Sequence, residues 1–289
     1  MAATDAGTKP RGGAGAPASR RRGGSRGWVP RQHGAWAMLV VPFVVGAVHG
    51  GPAWPQGALL ISWIVGYMGF AAAGLWLKAR PNRRAPYRAP ILVYGSISLL
   101  AGLILVAARP SMALWALVFA PFAAVSLLYS ARREERALTN DVVTIIAACL
   151  IAPVAAHAGA LGAPLARDPL AVVHLLTGDT VLVGMTLALA TYFVGTSLYV
   201  KTLIRERTSR AYKWASIGYH ALATLLWALV PVLLPGVVPG AAHALLTGFF
   251  VVTTVRAAVL AGHRVRPMHV GLGEIVLSTA LALILLLAW

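Results

Sequence analysis

The sequence predicts an all-α membrane protein of nine transmembrane helices, and three observations carry that expectation. Hydrophobic residues make up 58% of the 289-residue chain and charged residues 11%, against about 25% charged in a soluble domain. Apolar runs near the roughly 20 residues that cross a bilayer recur between short polar or Pro/Gly breaks. The cations, finally, fall almost wholly on alternate loops. A β-barrel is excluded because the runs are too long and continuous for alternating strands of about ten residues. Mean hydropathy, at +0.74, excludes an ordinary soluble globule.

Residues 1–30 are rich in Gly, Ala, Ser, Pro and Arg with almost no large apolar group. Such a segment buries too little surface to offset its ordering entropy, so it reads as a disordered basic cytoplasmic tail. It does not read as a signal peptide, because the apolar stretch that follows leads into further spans. Residues 31–289 form the polytopic transmembrane domain. Its spans fall at about 34–50, 57–77, 90–108, 112–129, 141–157, 179–200, 213–234, 239–262 and 270–289. Pro42, Pro121, Pro153 and Pro231 lie inside them, and packed membrane helices tolerate such breaks because neighbours satisfy the released carbonyls. Asp179 is placed to cap the sixth span, and Thr139-Asn140-Asp141 gives the fifth a polar start facing the helix dipole.

With nine spans, the tail and the loops after the second, fourth, sixth and eighth spans share one side. That side takes every Lys and Arg except Arg109 and Arg167, on the opposite loops, and Arg256, inside the eighth span. By the positive-inside rule the N-terminus is cytoplasmic and Trp289 lies outside the inner membrane. The net charge of +17 is therefore a topology signal and not a nucleic-acid footprint. Membrane lipids are the expected partners and nucleic acid is not. The single cysteine, Cys149, supplies neither a disulfide nor a zinc framework. Basic segments after the second and sixth spans suggest two similar four-helix halves plus a ninth helix.

Several residues stand out chemically. Gln32, His33 and Trp36 place two hydrogen-bonding groups and an amphipathic ring at the start of the first span, as an interfacial anchor or as part of a pocket. Near the cytoplasmic end of the sixth span, Tyr192, Thr196, Tyr199 and Glu206 follow one helical stripe, and Ser197, Lys201 and Arg205 form another. A helix continued past Lys201 would stack its ammonium and the Arg205 guanidinium one turn apart, suited to a phosphate or carboxylate. The bland alternative is that both snorkel to lipid phosphates. Lys78, Arg80, Arg83 and Arg84 would complete an anion-binding mouth or serve only as a solvated loop. Asp141 and Asn140 add a helix cap or a pocket contact. Glu274 and Arg256 are intramembrane charges, functional by default yet able simply to neutralise each other. No pair of acids is spaced for Mg²⁺ and no two histidines for a metal, so no metal or cofactor is expected.

Gln32-His33-Gly34-Ala35-Trp36-Ala37-Met38, Thr139-Asn140-Asp141 and the run from Gly195 to Arg207 resemble the signatures of the YwiC-like family of bacterial integral membrane proteins. That resemblance covers nearly everything after the tail and implies a membrane location without a reaction. The architecture also resembles the UbiA-type intramembrane prenyltransferases, as does Leu128-Tyr129-Ser130-Ala131-Arg132-Arg133. Those enzymes hold a prenyl diphosphate through Mg²⁺ on two Asp-rich loops. The corresponding stretches here, Gly74 to Arg84 and Tyr199 to Arg210, contain only Glu206 and many cations, so the Mg²⁺ chemistry is not expected to carry over. The resulting expectation is a pocket facing the cytoplasm that binds, or transfers a group to or from, an amphipathic lipid-like molecule with an anionic head. Its residues would be Gln32, His33, Trp36, Lys78, Arg84, Asn140, Asp141, Tyr199, Lys201 and Arg205. Transport of a small anion or metabolite, and a non-catalytic membrane scaffold, are the alternatives.

Overall fold

A computed structural model describes residues 27–30, 35–233 and 238–289. Most of the basic tail, together with Gln32 and His33, lies outside the described residues. Among the described residues there is no strand. The helices are α1 (Ala35–His49), α2 (Pro55–Lys78), α3 (Ala85–Ala108), α4 (Ala113–Ala131), α5 (Leu138–Cys149), α6 (Ile151–Ala158), α7 (Ala171–Gly178), α8 (Thr180–Ile204), α9 (Arg210–Leu233), α10 (Gly240–Leu260) and α11 (Pro267–Leu287).

Eight segments are long and apolar enough to cross a membrane: α2, α3, α4 with its leading turn, α5 joined to α6, and α8 to α11. The first of the nine spans read from the sequence is present as α1, a helix of 15 residues that rises about 22 Å. The fifth span is broken. α5 ends at Cys149 and α6 restarts at Ile151, with Pro153 lacking the N–H that would continue the ladder through the junction. Trp54 and Trp214 are both highly exposed, at opposite ends of the bundle, where amphipathic rings sit at headgroup level. Between them, exposed Leu92, Leu99, Leu117, Leu226 and Val255 present the apolar surface that lipid covers.

The centre of the bundle is α5–α6 and α8, of whose most apolar stretches 61% and 56% is buried, against 11–28% for the other crossing helices. α1 lies among them, packed on α5, α6, α8 and α11, while the hairpins α2–α3 and α9–α10 flank the core. Close approach is bought with small residues at the α1–α6 crossing. A Cβ on Gly46 would overlap the Ala152 backbone, and one on Gly50 the Ala156 backbone. All eight α6 residues are buried, as the small-residue pattern of packed membrane helices requires.

The loops separate cleanly into two ends. Residues 79–84, 132–137, 205–209 and 261–266 share one end, which carries every described Lys and Arg apart from Arg109 and Arg167, at the other end, and Arg256, within α10. This basic end is held together across helices, while the opposite end is closed by backbone bonds from Ala160 and Leu161 to the Gly51 and Gly50 carbonyls.

The crossing makes a paired prediction. Gly46→Ala destabilises the protein by about 1–3 kcal/mol through overpacking, read as a lower melting temperature in detergent. Gly248→Ala, where nothing lies within 4 Å of the added methyl, leaves stability unchanged or raises it.

Candidate functional site

The basic end is organised by the α4–α5 loop. Arg133 adopts a left-handed conformation, φ 63°, which a residue with a Cβ adopts only where the turn demands it. That turn sends the next residues back over the helix ends. Glu135 Oε1 accepts from Lys78 Nζ at 3.1 Å, and Asn140 Nδ2 donates to the Glu135 carbonyl at 2.8 Å. Lys201 Nζ donates to the Arg136 carbonyl at 2.7 Å and lies 2.8 Å from Asp141 Oδ2, which also accepts from Ser197 Oγ at 3.2 Å. The ends of α2, α5 and α8 are thereby tied to one loop. Burial alone would raise the Glu135 carboxyl, but its backbone hydrogen bond, the Lys78 ammonium and the Arg136 charge outweigh that and hold it below the usual range.

Of the residues expected from the sequence, Lys78, Asn140, Asp141 and Lys201 are brought together in this network. Asp141 stands in the first turn of α5 instead of capping it, and its carboxylate turns to Lys201. Arg84 is on the rim, its guanidinium 4.4 Å from the Trp76 ring centroid and its Nε donating to the Ala79 carbonyl. α8 stops at Ile204 with Arg205 as its C-cap. Arg205 is therefore exposed, while Lys201, one turn earlier, is buried against Asp141. The two cations follow one another along α8 but face different surroundings. Trp36 packs edge-on against Tyr67 at 6.2 Å, roughly three turns below Lys78 along α2. Tyr199 points away from Lys201, toward α10 and α11. Gln32 and His33 lie outside the described residues.

Tyr199 belongs to a second polar cluster. Glu274 Oε1 lies 2.6 Å from Arg256 Nη1, and Glu274 Oε2 accepts from Tyr192 Oη at 2.8 Å and Thr196 Oγ1 at 2.9 Å. The Arg256 guanidinium sits 4.0 Å from the Tyr199 ring centroid. The stripe Tyr192–Thr196–Tyr199 and the two intramembrane charges, separate features in the sequence, thus meet.

The opposite end has a buried knot that sequence reasoning missed. His157 is fully buried; its Nδ1 accepts from Trp115 Nε1 at 2.9 Å, so Nε2 carries the proton and donates to Ser111 Oγ at 3.0 Å. Arg109 Nη1 caps the end of α6 through the His157 and Gly159 carbonyls. Desolvation lowers the Arg109 pKa. A cavity of about 170 Å³ lies beside Trp115, lined mainly by Leu59, Trp63, Leu105, Phe119 and Ile151. No local spacing signals this knot, because the partners of His157 are more than 40 positions away in the chain. Among the described residues, no three His, Cys, Asp or Glu side chains come together as a metal site. What the basic end offers chemically is positive charge fixed in place by carboxylates and carbonyls.

The YwiC-like protein family matches residues 29–156, from before α1 into α6. The uncharacterized protein YwiC of Bacillus subtilis is 32% identical over 201 residues, spanning 70% of this chain and 77% of that protein. An uncharacterized protein of Haemophilus influenzae is 26% identical over 261 residues, 90% of this chain and 98% of its own. No solved structure matches the chain.

The lowered Glu135 value fixes the sign of an acid dependence. The Lys78–Glu135 tie stabilises the fold at neutral pH and is lost as pH falls below the ordinary glutamate value of about 4.3 and through the lower folded value. Melting curves of Glu135→Gln in detergent should accordingly show less loss of stability between neutral and acid pH than the unaltered protein; an equal loss would show that the tie contributes nothing.

Proposed function

The chain belongs to the YwiC-like protein family, and we propose that this multi-pass bacterial membrane protein binds an amphipathic lipid-like molecule by its anionic head at the basic end. The observation that carries the reading is the division of labour among the cations. Lys78 and Lys201 are fixed by Glu135 and Asp141, while Arg84 and Arg205 have no acidic partner among the described residues. A headgroup would meet guanidinium groups on a scaffold already ordered by ion pairs, so little is lost in arranging them. Arg84, over the Trp76 ring, presents its remaining N–H groups to a phosphate or carboxylate. Asn140, with Oδ1 buried and unpartnered among the described residues, adds an acceptor for a hydroxyl or amine on the same head. Trp36 on α1 and the Tyr67 ring on α2 lie deeper, packed edge-on, and would contact the start of the tail. Gln32 and His33 belong to this proposal by their place just before Trp36.

By the positive-inside rule the excess of cations favours a cytoplasmic location for this end, with Trp289 outside the inner membrane. In intact cells an impermeant thiol reagent should label Arg167→Cys and leave Arg207→Cys untouched; the native Cys149 is buried. The reverse pattern would place the site on the outer face.

The binding itself is tested by mass spectrometry of lipids retained on gently purified protein, and by exchange into nanodiscs of phosphatidylcholine with or without phosphatidylglycerol. Arg84→Ala combined with Arg205→Ala should insert normally and lose most of the retained anionic lipid, on the order of tenfold for about 1.4 kcal/mol of lost interaction. Equal retention by the double variant would sink the reading.

A further inference from the structure

The Arg256–Glu274 cluster is asymmetric in a way that mutual neutralisation does not explain. Glu274 is fully served, with Arg256 Nη1 on one oxygen and the Tyr192 and Thr196 hydroxyls on the other. Arg256 is not. Its Nε and Nη2 are buried without an acceptor among the described residues, and these two atoms form the edge of the guanidinium that matches a planar carboxylate through two parallel N–H bonds. A buried donor left unmade is more costly than a made one is rewarding. Ser216 Oγ, fully buried on α9, is likewise unpartnered.

Charge sets the second condition. The pair is neutral as it stands, with both side chains 13% exposed, and a further carboxylate would leave a net negative charge at membrane depth. Low dielectric disfavours that unless a proton enters too. The cluster has somewhere to put it. Tyr192 Oη, which donates to the Glu274 carboxylate, also lies 3.4 Å from the Glu274 main-chain carbonyl. Its hydroxyl can therefore turn to the carbonyl and leave Oε2 to carry a proton of its own.

We propose that Arg256 offers its Nε/Nη2 edge to the carboxylate of a ligand that binds together with one proton, taken up by Glu274. Three helices, α1, α8 and α10, pack against α11. The titratable or charged groups they turn toward Glu274 are Tyr192 and Tyr199 from α8 and Arg256 from α10. Described α1 contributes none but His49, at its far end. His220 on α9 packs against Gly195 of α8, and His269 precedes Glu274 on α11 itself. The carboxylate has two possible sources, a lipid-borne fatty acid or a small water-borne organic acid, and the recognition chemistry is the same for both.

The test is binding of oleate and of butyrate to purified full-length protein in detergent, by equilibrium dialysis between pH 5.5 and 8, with proton uptake followed in weak buffer. One of the two should bind with about one proton taken up and, relative to Glu274→Gln, lose affinity by about tenfold per pH unit. Oleate binding would identify a lipid-borne ligand and butyrate a water-borne one. Glu274→Gln, which mimics the protonated acid, should still bind but without proton uptake. Arg256→Gln combined with Glu274→Gln keeps a neutral hydrogen-bonding pair and should lose at least tenfold in affinity. Binding of neither probe, binding to the unaltered protein without proton uptake, or undiminished binding by the double variant would each overturn the proposal.

Discussion

Carboxylates are the scarce resource of this molecule, and the way they are used fixes the bundle. The sequence has 8 Asp and Glu against 25 Lys and Arg, and five of these acids pair with a cation or a histidine in the structure. Asp179 joins the start of α8 to His49 at the end of α1. Glu135 and Asp141 join the α4–α5 loop and α5 to α2 and α8, and Glu274 joins α11 to α10. Asp168 holds His174 on the opposite end. Within lipid a charge must find its partner inside the protein, so Asp141 and Glu274 help decide which helices meet. The cations left over gather at one end, and that surplus is the chemistry the protein has to offer.

α8 is where these constraints converge. Asp179 caps its start through the Leu182 N–H, Tyr192 and Thr196 serve Glu274 in its interior, and Ser197 and Lys201 hold Asp141 near its end. Successive faces of one helix thus address the opposite end, the intramembrane pair and the basic end. The helix can do this because it is held on all sides, against α5 and α6, α9, α11 and α1. Small residues allow the close approach: Gly195 faces His220 and Gly184 faces the Trp289 ring. A ligand at either polar cluster would therefore act on the same rigid element.

Much of the fold was legible because hydrophobic run length and cation placement are local properties. The spans from α2 onward, the division of charge between two ends and the Asp179 cap follow from composition and spacing alone. The helical period also put Tyr192, Thr196 and Tyr199 on one stripe, which the structure places beside Glu274 and Arg256. What spacing does not carry is the partner. Lys201 and Arg205 are one turn apart in sequence, but α8 ends at Ile204 and Asp141 draws only Lys201 inward. Glu135 sits beside Glu134 in a loop, and nothing local distinguishes the acid that turns back to Lys78 from the one that does not. The buried knot of His157, Trp115 and Ser111 is built across more than 40 residues of chain and was equally hidden. The break at Leu150 was half visible, since Pro153 announced a discontinuity without saying that α6 would be entirely buried.

Family membership identifies relatives without an assigned activity, so the account of function rests on the basic end itself: ordered lysines, unpaired guanidiniums and an aromatic floor at Trp76. The most direct test is photocrosslinking with an anionic phospholipid that carries a diazirine in its headgroup, followed by mass-spectrometric mapping of the adducts. Adducts concentrated on the peptides around Arg84 and around Lys201 to Arg205 are the expected result. Adducts confined to the opposite end, or spread evenly along the bundle's exposed surface, would contradict it.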